Sequence, residues 1–242
     1  MNLNDKMKER KKLIDGIDLS LFKNLNKIMV VNHGITSSQV EVVFRNLKTK
    51  LIQIIKDADA VIGAVAWITD ADILEVLAER PTLLVIQKED FLRPDLMSRL
   101  TDEAKEKLRQ LYNNFRLFDG WKVSVGPFSQ GIDKEFSALS PILCFGYYKQ
   151  GQTFRLPKMH NKFIVFLKKQ EELYVPYAVW TGSYNFTEQS AHSLENAVII
   201  KDGEVASAYA SEAQIIYLMG EPLDWSSEWI NPIKKTAKIS NC

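Results

Sequence analysis

The feature that most constrains this chain is a pair of short apolar runs with almost no polar interruption. Residues 60–68 read AVIGAVAWI, and residues 82–86 read TLLVI. Such runs lack the alternation of a half-exposed strand, so they read as strands covered on both faces. A strand covered on both faces needs helices above and below it. Helical patterns flank both runs. Thr36, Ser37 and Ser38 offer an N-cap, and Val40, Val43, Phe44, Leu47, Leu51, Ile54 and Ile55 recur behind it at helical spacing. Asp70 or Asp72 caps a second helix carrying Ile73, Leu74, Val76 and Leu77, which Pro81 stops. Residues 36–87 therefore read helix, strand, helix, strand. The fold class is α/β, with a mixed, mostly buried β-sheet flanked by helices.

The rest of the chain continues the pattern. Residues 95–115 read as a surface helix, 121–125 as a strand, 126–140 as a loop and 142–148 as a strand. Residues 163–166 and 174–180 read as two strands joined by the charged turn 168–172, followed by a strand over 196–200. A helix over 203–219 turns Ala206, Tyr209, Ala213, Ile216 and Tyr217 inward. The expected organisation is a charged lead-in over 1–30, one domain over 31–220 and a tail over 221–242 that holds Trp225 and Trp229. The stretch 88–140 reads as an insertion in that domain. Lys6, Lys8, Arg10, Lys11 and Lys12 crowd the lead-in and read as a solvated arm.

Composition narrows the function classes. Hydrophobic residues make up 46% of the 242, which excludes a disordered chain. The 31 basic and 30 acidic residues leave a formal charge of +1. That balance argues against coating nucleic acid by bulk charge and leaves room for a local basic patch. Cys144 and Cys242 form neither a disulfide framework nor a zinc-finger spacing, which suits a reducing compartment. The N-terminus lacks the apolar core of a signal peptide, and no run of about 18 apolar residues exists to span a bilayer. The expectation is a cytoplasmic protein.

Of the three histidines, His33, His160 and His192, only His160 has neighbours that suit chemistry. In KMHNKFIVF, residues 158–166, His160 and Lys162 are two apart, so on a strand they project to one face while Phe163 and Val165 face the other way. An imidazole beside an ammonium suits an anionic substrate. Ser183 and Asn185 are likewise two apart, and bring a hydroxyl and a carboxamide to one face as partners for phosphate oxygens. Gly182 allows a close backbone approach or a sharp turn. Glu195 precedes an apolar strand and is placed to accept the second imidazole N–H, orienting the ring. Trp67 reads first as core and second as a lining residue of the cleft.

Together, His160-x-Lys162, Gly182-Ser183-x-Asn185 and Glu195-Asn196 resemble the catalytic half-motif of the phospholipase D superfamily, and most closely its single-motif, nuclease-like members. The resemblance covers residues 155–202, with a weaker likeness over 36–87. One position departs: the family pattern H-x-K-x4-D puts an aspartate at 167, where this chain has Leu167. The resemblance implies a phospholipase D-like fold and a metal-independent phosphodiesterase without a cofactor. In that scheme His160 attacks phosphorus and forms a phosphohistidine. Lys162, Ser183 and Asn185 hold the non-bridging oxygens, and a second histidine protonates the leaving group. Neither His33 nor His192 has a lysine two residues on, and the resemblance to single-motif members implies that the second histidine comes from a homodimer partner across a two-fold axis. The implied substrate is DNA or RNA, with Lys158, Lys168, Lys169 and Lys201 as candidate backbone contacts. Two alternatives stand beside this reading. A phospholipid phosphodiesterase would want an apolar rim, for which Phe145, Tyr147 and Tyr148 are candidates. A catalytically weak nucleic-acid-binding module would account for Leu167.

Overall fold

A computed structural model describes residues 34–88, 100–116, 122–123, 140–145 and 158–223. The charged lead-in, His33, Trp121, Tyr147, Tyr148, Trp225, Trp229, Cys242 and most of the loop expected over 126–140 lie outside the described residues. In chain order the elements are β1 (Ile35–Thr36), β2 (Val40–Val43), α1 (Leu47–Asp57), β3 (Ala60–Val65), α2 (Ala71–Ala78) and β4 (Thr82–Gln87). Then come α3 (Asp102–Asn113), β5 (Lys122–Val123), β6 (Ile142–Phe145), β7 (Lys162–Gln170) and β8 (Leu173–Gly182). The last are α4 (Glu188–Ala191), β9 (Ala197–Ile200), α5 (Gly203–Leu218) and β10 (Glu221–Pro222).

The strands join in one mixed sheet of order β1-β2-β9-β8-β7-β3-β4-β6-β10, with β5 paired to β8 off this path. β3, β4 and β6 run parallel. β7 enters antiparallel to β3 and pairs antiparallel with β8, as β8 does with β9. Every residue of β3 and β4 is buried, as their unbroken apolar sequences require.

Two cores sit on the two faces of this sheet. On one face Val61 and Val65 of β3 and Ile164 and Phe166 of β7 meet Leu51 and Ile55 of α1, Leu74 of α2 and Tyr112 of α3. On the other face Ala60, Ile62 and Ala64 of β3 and Phe163, Val165 and Leu167 of β7 meet Ala206, Ala210 and Ala213 of α5. Successive strand side chains alternate between these cores. The small residues on one side of α5 let the helix lie close against the sheet. Phe145 belongs to this second core and is buried, so it forms no apolar rim for a lipid surface.

Two sequence expectations need correction. Residues 36–44 do not begin a helix. Ser37 Oγ accepts the Val40 N–H at 3.1 Å and Ser37 N donates to Val40 O at 2.7 Å, which closes the β1–β2 hairpin instead. β-Branched Val40, Val42 and Val43 pair with β9, and their spacing matched a helix by coincidence. The helix starts only after Asn46, whose left-handed φ of 56° separates strand from helix. The charged turn is also shorter than expected. β7 runs to Gln170, and the reversal is made by Glu171, at φ 55°, and Glu172. The surface-helix expectation of 95–115 is met by α3 over its described part, with Thr101 as cap.

Leu167 sits at a register irregularity between Phe166 and Leu167, is 0% exposed and packs in the α5-side core. Its carbonyl accepts the Asp59 N–H at 3.0 Å. A carboxylate there would be buried among apolar groups. Leu167→Asp, which restores the family pattern, is expected to cost at least about 3 kcal/mol of stability rather than raise activity; urea denaturation of both proteins checks this.

Candidate active site

β-Sheet register gathers the candidate residues. Val65 at the end of β3 pairs with Lys162 at the start of β7, and Phe163 pairs with Thr181 near the end of β8. Gly182, the last residue of β8, pairs with Ala197 at the start of β9. The antiparallel turns thus bring Trp67, His160, Lys162, Ser183 and Glu195 to one end of the central strands.

The segment before β7 is clamped from two sides. Ala66 N donates to Asn161 O at 2.8 Å, and the buried Gln87 side chain accepts the Met159 N–H at 2.6 Å while donating to Lys88 O at 3.1 Å. His160 therefore stands between two anchored neighbours, Met159 and Asn161, with its ring exposed. Lys162 is 8% exposed, and its ammonium donates to His160 O at 2.9 Å. The same ammonium lies 3.2 Å from His160 Nδ1 and 3.3 Å from Nε2. The Trp67 ring meets His160 edge-on at 5.3 Å and 80°, and Lys162 Nζ lies 5.5 Å from the centre of that ring.

Electrostatics follow from this packing. Partial burial first, then the charges of Lys162 and Lys158, pull the His160 imidazole below its ordinary value of 6.5. Burial also pulls the Lys162 ammonium below 10.5, and the Glu195 carboxylate opposes that shift. The imidazole is consequently neutral near pH 7, with one nitrogen carrying a free lone pair.

Glu195 does not accept from an imidazole among the described residues. Its Oε2 accepts the Ser183 hydroxyl, and Ser183 Oγ in turn accepts the Asn196 N–H at 3.1 Å. The single hydroxyl proton of Ser183 is therefore aimed at Glu195 rather than at the space a phosphate would fill. Gly182 has a structural reason as well. A Cβ there would fall 2.3 Å from Asn196 O, so only glycine lets β8 lie this close to the Glu195–Asn196 segment that leads into β9. Asn185 borders an open cleft of about 1030 Å³ together with Trp67, Glu195, Lys107 and Ser190. Asn185 Oδ1 is buried there without a partner.

Of the basic candidates, Lys158 lies close enough to His160 to act on its titration. The structure places Lys168 and Lys169, expected as backbone contacts, away from the His160 end of the sheet. Both lie on β7 beyond Leu167, and six residues of strand put Lys168 about 20 Å from Lys162. Lys168 pairs with Asp59 at 3.4 Å, and Lys169 Nζ lies 5.9 Å from the Tyr174 ring centre. Lys201 follows β9 at that same far end, bonded through its N–H to Gln39 O at 2.7 Å. His192 caps the C-terminus of α4 and makes no contact with His160 among the described residues. Sequence reasoning gave Trp67 too little weight and missed Gln87. Each follows a buried run, and only strand pairing places it beside His160.

With this geometry in place, comparison with known proteins is informative. The family described as Cardiolipin synthase, PLD-like domain, matches residues 141–216, which hold His160, Lys162, Ser183, Asn185 and Glu195. Uncharacterized protein L381 of Acanthamoeba polyphaga mimivirus is 31% identical over 222 residues, spanning 84% of this chain and 75% of its own. The chain belongs to the phospholipase D superfamily. Two solved structures are also similar. Nuc from Salmonella typhimurium, described as a phospholipase D family member, has 17% identity and a TM-score of 0.48, covering 75% of this chain and 95% of its own. NucT from Helicobacter pylori has 12% identity and a TM-score of 0.48, covering 75% and 97%.

Gln87→Leu keeps the bulk and removes both polar atoms, and with them the bonds to Met159 N–H and Lys88 O. It is expected to cost about 1–3 kcal/mol. It should also speed amide exchange at Met159 selectively, which hydrogen exchange followed by NMR will detect.

Proposed function

We propose that this protein is a metal-independent phosphodiesterase whose substrate is DNA or RNA, acting through His160 as nucleophile. The observation that carries the reading is the Lys162 ammonium packed 3.2 Å from an exposed imidazole that sits below its ordinary pKa. A neutral imidazole is a nucleophile near pH 7, and the adjacent cation attracts the phosphate and opposes protonation of the ring. The positive charge facing the phosphate comes from Lys162 and Lys158.

In the first step the free imidazole nitrogen of His160 bonds to phosphorus, and the bond from phosphorus to the leaving oxygen breaks. A second imidazole gives that oxygen its proton. In the second step that imidazole takes a proton from water, the water oxygen bonds to phosphorus, and the phosphorus–nitrogen bond breaks. The products are an alcohol and a phosphomonoester, and both imidazoles return to their starting state. Lys162 and Asn185 face the non-bridging oxygens. Ser183, with its proton on Glu195, serves to set that carboxylate.

The second imidazole is His160 of a second copy. The imidazole is exposed, and His192 makes no contact with it among the described residues, which supports a second copy as the source of the other half of the pair. A two-fold axis beside His160 would place two identical half-sites face to face.

Cleavage of labelled single- and double-stranded DNA and RNA in excess EDTA tests the reading. Wild type should cut, and His160→Ala should lose at least about 10³-fold; a fully active His160→Ala would overturn it. Lys162→Ala should lose about 10²–10³-fold while Lys168→Ala loses little. The pH profile has a definite sign. One His160 of the pair must be neutral to attack and the other protonated to supply the leaving group's proton, so activity should peak and fall on both sides: the acid limb, below 6.5, as the nucleophile protonates, and the alkaline limb as the second imidazole loses its proton, before Lys162 does. Light scattering should find a dimer at micromolar protein, and a strictly monomeric active enzyme would overturn the shared site.

A further inference from the structure

Trp67 is the one aromatic side chain among the described residues that touches both members of the motif pair, and its backbone is anchored on both sides. The preceding Ala66 N–H donates to Asn161 O at 2.8 Å, between His160 and Lys162 in sequence. The Trp67 carbonyl accepts the Phe186 N–H at 3.0 Å, one residue beyond Asn185. Phe186 O returns two bonds, from Thr69 N at 2.9 Å and Asp70 N at 3.0 Å, and Ile68 bridges to Phe186. Asp70 then caps α2, accepting the Asp72 and Ile73 N–H groups. The indole is thus delivered by a backbone frame tied to both the His160 segment and the Asn185 segment.

The ring geometry gives this frame a use. The ammonium lies within hydrogen-bond reach of both nitrogens of the imidazole and repels the ring only when it protonates, so charge alone does not fix the ring's angle. Lys162, for its part, has water to turn to. The indole edge contact at 80° restricts rotation of the imidazole. The indole ring also attracts the ammonium electrostatically, which offsets part of the hydration Lys162 gives up.

We propose that Trp67 is a positioning residue for the His160–Lys162 pair, setting the angle of the imidazole and holding the lysine ammonium against it. The inference rests on the reading of His160 as nucleophile only for its catalytic consequence; the positioning itself is a property of the free protein. The charged groups that act on the pair are Lys158 and Lys162 from the motif segment and Glu195 from the segment before β9. Trp67 contributes no charge. It acts by excluding water and by keeping Lys162 near the ring.

Removing the indole changes both influences in one direction. Water reaches the imidazole, and the ammonium is free to move off, so His160 should titrate closer to 6.5. An NMR titration of the His160 ring in Trp67→Leu should show an upward shift of about half a pH unit. Trp67→Phe keeps an aromatic ring and should stay within about 0.2 unit of wild type. The acid limb of kcat/KM should move by the same amount in each variant, whereas loss of mere packing would lower kcat and leave that limb in place. If Trp67→Leu does not fold, nuclear Overhauser contacts between the Trp67 indole and the His160 imidazole in the wild-type protein decide the matter, and their absence overturns the proposal. A Trp67→Leu protein that titrates as wild type overturns it too. The titration needs no substrate. A shifted titration in a protein that cuts no phosphodiester would uphold the positioning role and reject the functional reading. Cleavage with an unshifted titration would do the reverse.

Discussion

Antiparallel insertion of β7 between β3 and β8 is the constraint on which the site depends. It reverses chain direction relative to β3, so the end of one strand and the beginning of the other lie side by side. It then sets the end of β8 beside the start of β7. No single segment holds the candidate site. His160 and Lys162 come from one side of the seam, Trp67 from another, and Ser183 and Asn185 from a third. Glycine keeps the approach close at the β8–β9 junction, where any side chain would strike the Asn196 carbonyl. Sheet hydrogen bonds are rigid and numerous, so a site built at strand ends is held with little freedom to drift.

The second organising fact is the placement of two basic side chains in contact. Lys162 is largely withdrawn from water and touches the imidazole, whose protonated form it would repel. Such a pair is sustained by what surrounds it: the His160 carbonyl on Lys162, the Trp67 ring and the Glu195 field. Its result is an imidazole that stays neutral where an ordinary histidine would begin to protonate. The Ser183–Glu195–Asn196 bonds form a separate small network, which keeps the carboxylate near the lysine without letting it neutralise the ring.

Legibility varied with how local the determining physics was. The buried strands β3 and β4 and the cap of α2 were readable because an apolar run and a capping aspartate act within a few residues. The motif pair His160–Lys162 was readable because strand periodicity alone puts both on one face. Residues 36–44 were misread because Val40, Val43 and Phe44 fit a helical spacing. The pairing with β9 and the left-handed turn at Asn46 are non-local and decided otherwise. Lys168 and Lys169 looked close to the motif in sequence and are remote in space, because an extended strand covers distance quickly. Leu167 reads as a missing acid in the motif and becomes a core residue once α5 is seen to cover it.

The sequence by itself determined the α/β layering, the His160–Lys162 pairing on one face and the superfamily. Each is written in residue type and short-range spacing, which act before any long-range contact forms. The tertiary structure alone decided which other groups reach that pair. It brought in Trp67 and Gln87, gave Glu195 to Ser183 and sent Lys168, Lys169 and Lys201 to the opposite end of the sheet. The physical reason is that strand register is set by pairing between segments far apart in the chain. Register, unlike periodicity, determines which ends meet.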